Sequence, residues 1–117
     1  MTNYTKINIG TEDRAELHDK LGLTGAEVSG NRLPAGPMVP VVHSHKRNEE
    51  VYRILAASRR AIIDGENVSL AAGDWLRVAP AAKRQFSAAE DSGVTYVCIQ
   101  VKEGSLGGFT AEDAVVH

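Results

Sequence analysis

The sequence is short of several things, and each shortage restricts what it can be. It has one cysteine, Cys98, so no intrachain disulfide can close, which agrees with a reducing compartment. Neither sign of charge dominates. Thirteen Lys and Arg stand against fifteen Asp and Glu, a formal charge of −2, with no basic patch larger than pairs such as Arg59-Arg60 and Lys83-Arg84. Nucleic acid is therefore not an expected partner. No apolar run approaches the roughly 18 residues of a membrane span, and the opening Met1-Thr2-Asn3-Tyr4-Thr5-Lys6 lacks the apolar core of a signal peptide. A cytoplasmic protein without a membrane partner is expected. Internal repeats and low-complexity segments are also absent.

What is present suffices for one core. A chain of 117 residues, 43% hydrophobic and 24% charged, reads as a single domain over 1–117. Short strand-like pieces dominate it. Residues 4–9 read as a strand ended by Gly10, and residues 26–33 as a weaker one ended by the turn cluster Pro34-Ala35-Gly36-Pro37. Between them lies the one helical stretch, with Thr11 as N-cap, Glu12 and Asp13 in its first turn, and Gly22 to stop it after Lys20-Leu21. His18 lies on this helix with no second ligand type at helical spacing, so it reads as exposed.

Further on, Ala61-Ile62-Ile63 and Val68-Ser69-Leu70 flank a hairpin turn in which Gly65 supplies the positive φ. In Trp75-Leu76-Arg77-Val78, alternation assigns Leu76 and Val78 to the core and Trp75 and Arg77 to an outer surface. Arg84, Phe86 and Ala88 share a face of the next strand. The last strand, 94–101, divides Val97, Ile99 and Val101 from Tyr96, Cys98 and Gln100, and the second set suits either a pocket lining or a solvent face. The glycine-rich stretch 104–108 lacks the strand and helix flanks of a phosphate cradle and reads as a plain connection. Many short strands with one minor helix predict an all-β sandwich or barrel.

The sharpest chemical signal is His43-Ser44-His45-Lys46-Arg47-Asn48-Glu49-Glu50-Val51-Tyr52. Valines 39, 41 and 42 lead into it and Val51, Ile54 and Leu55 lead out, so both flanks read as strands with 46–49 as the turn. Period-two alternation points His43 and His45 the same way, and puts Glu50, Tyr52 and Ile54 on one face of the following strand. Two imidazoles and a carboxylate suit a divalent metal such as Zn, Fe, Mn or Ni and leave positions open for water or substrate.

These residues resemble the cupin superfamily, whose first motif reads H-x-H, three or four residues, E, six residues, G. His43, His45 and Glu50 fall on its three ligand positions, and Ala57 stands where glycine is usual. The second motif, G-D, four residues, P-P-G, two residues, H, is met by Gly73-Asp74 and Ala79-Pro80-Ala81, with Arg84 in the place of the fourth ligand. The resemblance implies a double-stranded β-helix, the cupin jelly-roll barrel, with one short N-terminal helix. It also implies ligands in the barrel mouth. The strand edges of so small a barrel and its outer face carrying Trp75 predict a homodimer that covers part of that face.

A guanidinium offers only donors and stays protonated, so Arg84 cannot itself bind a metal. Three readings stand. Arg84 holds an anionic group of a substrate beside the metal, or pairs with Glu50 in a metal-free site, or swings to solvent. On the first, the protein acts on a small, anionic organic molecule with Arg84, Phe86, Tyr96 and Gln100 as substrate-binding residues and Tyr52 as acid or base, in an oxygenase, isomerase or lyase reaction. On the second it is a binding or sensing module, and a vestigial pocket is the remaining class. Cys98 has no histidine near it in sequence and reads as a small buried thiol.

Overall fold

The computed structural model describes residues 3–33, 42–56, 59–88 and 93–117. Among these, the elements follow as β1 (Arg14–Glu16), α1 (Leu17–Leu21), β2 (Glu27–Leu33), β3 (Asn48–Ala56), β4 (Arg59–Ile63), β5 (Glu66–Leu70), β6 (Trp75–Val78), β7 (Arg84–Ala88) and β8 (Val94–Lys102), with a 3-10 turn at Thr110–Glu112. All strand pairing is antiparallel. It forms a five-stranded sheet, β1-β2-β8-β3-β6, and a three-stranded sheet, β5-β4-β7. This is the all-β two-sheet architecture that the short alternating strands predict, and the jelly roll that the cupin resemblance implies. No helix among the described residues is long and apolar enough to cross a membrane.

Alternation along β3 sets what faces the interior. Glu50, Tyr52 and Ile54 are buried, whereas Val51 and Arg53 are only partly covered. Tyr52 and Ile54 meet Ala61, Leu70, Val78, Phe86, Val94 and Cys98 in one core between the sheets. Ile54, Val94 and Val78 are at most 2% exposed, and burying each such side chain fully contributes about 1.5–3 kcal/mol. Trp75 lies outside at 62% exposure, as its place opposite Leu76 and Val78 predicts.

The β4–β5 hairpin closes through Asp64 and Gly65, both with positive φ (49° and 84°), a two-residue turn whose twist matches the flanking strands. Asp64 also exchanges hydrogen bonds with Lys83: its N–H donates to the Lys83 carbonyl at 2.9 Å, and its Oδ1 accepts from the Lys83 N–H at 2.8 Å. The hairpin thereby fixes the entry to β7, one residue before Arg84.

The N-terminal expectations need correction. Residues 4–9 form no strand, and residues 11–13 are not helical. Instead Arg14–Glu16 pairs with Asn31, Gly30 and Ser29, burying Ala15 to 2% exposure, and the helix is only Leu17–Leu21. A helix this short cannot sustain itself, and pairing to β2 satisfies backbone groups that a longer, mostly charged helix would leave undocked. Thr11 is not its cap. The Glu27 carboxylate accepts from the N–H groups of Leu17 (3.1 Å) and His18 (3.0 Å), so a neighbouring strand caps the helix. Gly22 does end it, at φ 69°, with its N–H on the Asp19 carbonyl. The strand expected to lead into His43 falls largely on residues 39–41, and the turn cluster and Ala57 likewise lie outside the described residues.

Candidate metal centre

His43 and His45 are carried by extended backbone laid against β7 and the turn before it. His43 and Arg84 exchange backbone hydrogen bonds of 3.1 and 2.9 Å, and the His45 N–H donates to the Pro80 carbonyl at 2.8 Å. Residue 44 between them faces away, so both imidazoles reach Glu50 on β3. His45 Nε2 is 3.3 Å from Glu50 Oε2, and His43 Nε2 is 4.0 Å from Oε1. One ligand atom from each of the three residues lies within 4.8 Å of the others. The rings stand perpendicular with centroids 5.2 Å apart.

Glu50 is 3% exposed, and its carboxylate is surrounded by donors. The Tyr52 hydroxyl donates to Oε1 at 2.6 Å, and the Cys98 thiol donates to Oε2 at 3.4 Å. Arg84 Nη1 lies 3.4 Å from Oε1, while Nη2 donates to the carbonyls of Ala79 and Pro80. Arg84 is 0% exposed, which removes the reading in which it swings to solvent. A buried carboxylate and a buried guanidinium each cost several kcal/mol alone, about 3–5 when a partner is removed, so each answers the other.

The protonation states follow from burial. Desolvation is the largest influence on His43 and holds it below the ordinary imidazole value of 6.5; Glu50 opposes this, and His45 and Arg84 reinforce it. Burial, followed by Cys98 and Glu50, pushes the Tyr52 hydroxyl far above the ordinary phenol range. Burial and then Glu50 push the Cys98 thiol up to about 12. A neutral His43 keeps a lone pair for a metal, while Tyr52 and Cys98 keep their protons.

The donor set fits a divalent ion. His45 Nε2 is buried with no hydrogen-bond partner in the protein, since its 3.3 Å approach to Glu50 lacks hydrogen-bond geometry. A metal would satisfy that atom, and two imidazoles with one carboxylate are a common divalent set. His18 is not part of this cluster; it is half-exposed on α1 with its Nδ1 2.8 Å from Asp19.

A cavity of about 320 Å³ opens over these residues. Tyr52, Phe86, Tyr96, Cys98 and Gln100 line it, so the even face of β8 is pocket rather than solvent face. The Tyr52 and Phe86 rings pack at 4.5 Å between centroids. Arg84 is not in the lining: its side chain lies behind Glu50, and the expectation that it projects into the cavity is corrected, because the ion pair and the two turn carbonyls hold it there. Arg14, Ser29 and Asn31, on β1 and β2 of the same five-stranded sheet, line the cavity too, and sequence reasoning missed all three. Polar residues alternating inward along β2 were a signal for Ser29 and Asn31; Arg14 had none, since its stretch reads as helix.

A crystal structure of a cupin protein from Bacteroides fragilis matches this fold with a TM-score of 0.96, at 59% sequence identity, over 100% of this chain and 99% of that one. The chain belongs to the cupin family. Among more distant cupin-fold neighbours, a putative sugar phosphate isomerase from Acidithiobacillus ferrooxidans matches 76% of this chain and 58% of its own at TM-score 0.67. A predicted oxalate decarboxylase from Thermotoga maritima matches 76% and 78% at TM-score 0.66. Both are 19% identical, a likeness of fold alone. No family model and no curated protein matches the sequence. In this cupin, then, His43, His45 and Glu50 cluster at the cavity, and Arg84 stands behind Glu50 at the sequence position where the second motif has histidine.

Proposed function

We propose that this cupin holds a divalent metal ion on His43, His45 and Glu50 and acts on a small organic molecule in the adjoining cavity. The observation that carries this is the convergence of the three ligand atoms around a buried, unpartnered His45 Nε2 at the cavity wall. A bound ion would supply Lewis-acid polarisation of a ligand oxygen. The chain's own groups do the rest. Tyr52 donates to Glu50 Oε1 and orients the carboxylate; its raised pKa favours this positioning role over acid or base work. Arg84 balances the Glu50 charge from behind. Phe86 and Tyr96 supply apolar walls that exclude water. Gln100 accepts from the Asn48 amide at 3.1 Å through Oε1, which leaves its own amide N–H groups to donate to a ligand.

Fold does not select among oxygenation, isomerisation and lyase chemistry. The first test is elemental analysis of protein purified without added metal, followed by His43→Ala and His45→Ala, each of which should strip the ion. The Arg84–Glu50 ion pair favours a second reading, a metal-free binding module, and protein that takes up no divalent ion on dialysis against Zn, Mn, Fe(II) or Ni would establish it. We further infer cytoplasmic residence, from the unpaired Cys98, and a homodimer formed through the face bearing Trp75, whose exposed ring carries the Arg53 guanidinium at 4.8 Å.

A further inference from the structure

We propose that Arg14 is the anion-recognition residue of the cavity, so that the molecule taken there is a small carboxylate with its charged group at Arg14 and its remaining polar atoms toward His43, His45 and Glu50. The orientation rests on the proposed metal site; anion binding at Arg14 does not. Among the described residues that line the cavity, Arg14 is the one bearing a permanent positive charge. The other arginine near the site, Arg84, is wholly buried beside Glu50 and lies outside the cavity lining.

Arg14 is also held in place from the cavity side. Its Nη1 donates to Asn31 Oδ1 at 2.8 Å, and Asn31 Nδ2 donates in turn to Ser29 Oγ at 2.9 Å and the Ser29 carbonyl at 3.2 Å. Asn31 and Ser29 are 7% and 5% exposed, so the guanidinium is anchored to a buried polar pair in the barrel wall. Anchoring removes part of the side-chain entropy cost of binding. The other side of the fork already holds a carboxylate. Nε and Nη2 both donate to Glu16 Oε1, at 3.3 and 2.9 Å. The Arg14 and Glu16 side chains are 61% and 62% exposed, and an exposed ion pair of this kind is weak, so a ligand carboxylate offering bidentate geometry can displace Glu16.

The test is calorimetric titration of acetate, malonate and succinate, with neutral malonamide as control, into wild type, Arg14→Ala, Arg14→Lys and Glu16→Gln, each with and without Zn²⁺. Wild type should bind at least one carboxylate and not malonamide. Arg14→Ala should weaken that binding by about tenfold or more, Arg14→Lys by less, and Glu16→Gln should tighten it by removing the internal competitor. Arg14→Ala should keep wild-type Zn²⁺ affinity, and Arg14→Lys, which preserves the charge, controls for loss of fold. Equal carboxylate affinity in wild type and Arg14→Ala, equal binding of malonamide, or no carboxylate binding by wild type at millimolar concentration would each overturn the proposal. Arg14-dependent carboxylate binding in a protein that takes up no Zn²⁺ would support it while overturning the metal site alone.

Discussion

Glu50 concentrates most of the chemistry into one side chain: two imidazoles, a hydroxyl, a thiol and a guanidinium surround a carboxylate that solvent barely reaches. Tyr52→Phe removes the 2.6 Å donor and little volume, so metal affinity should fall by about tenfold while the fold persists, as competition with a chelator would show. Arg84→Met leaves Glu50 buried and unpaired. Metal-free protein should lose about 3–5 kcal/mol in urea unfolding, and added Zn²⁺ should restore part of that by answering the same charge. Cys98 gives a pH signature. Its pKa rises from an ordinary 9.0 to about 12 in the fold, so the native state keeps a proton that the unfolded chain releases. Stability should be unaffected by this group below pH 9 and decline between pH 9 and 12, and Cys98→Ser should flatten that decline in alkaline melts.

Among the elements, β3 was the most legible and the N-terminal segment the least. The alternation of Glu50, Tyr52 and Ile54 against Val51 and Arg53 is a property of any strand with one buried face, and the same holds for β6. The hairpin turn was legible at Gly65, whose φ is positive as expected, but it is shorter than the expected 64–67, since Asp64 also takes a positive φ and Glu66 and Asn67 open β5. At the N-terminus, local signals named a helix from Thr11 whereas the chain forms β1 and a five-residue helix. The cap comes from Glu27, which lies ten residues beyond Leu17, and no local pattern reveals such a partner. Glu27→Ala should unravel α1 and cost about 1 kcal/mol, read as loss of amide protection at Leu17 and His18 in hydrogen exchange.

At the scale of the whole molecule, the radius of gyration is 15.9 Å, larger than the roughly 13 Å of a compact monomer of this length. Much of the large apolar exposure lies toward the chain ends, at Tyr4, Leu106, Phe109, Val115 and Val116, together with Trp75 on the outer face. A second copy would cover such surface, which motivates the homodimer. Sedimentation at micromolar concentration should give twice the 12.5 kDa chain mass, and Trp75→Glu should shift the population toward monomer; a wild-type monomer would end the idea.

The sequence by itself determined the strand periodicity, the shared faces of Glu50, Tyr52 and Ile54 and of Leu76 and Val78, and the grouping of His43, His45 and Glu50, because period-two alternation and motif spacing are local properties of the chain. Only the tertiary structure decided the roles of the two arginines. Whether a guanidinium faces a cavity or backs a carboxylate depends on which sheet stands across from it. Arg84 on β7 meets Glu50 on β3, and Arg14 reaches the lumen only because β1 pairs with β2, contacts that bring together residues 34 and 17 positions apart in the chain.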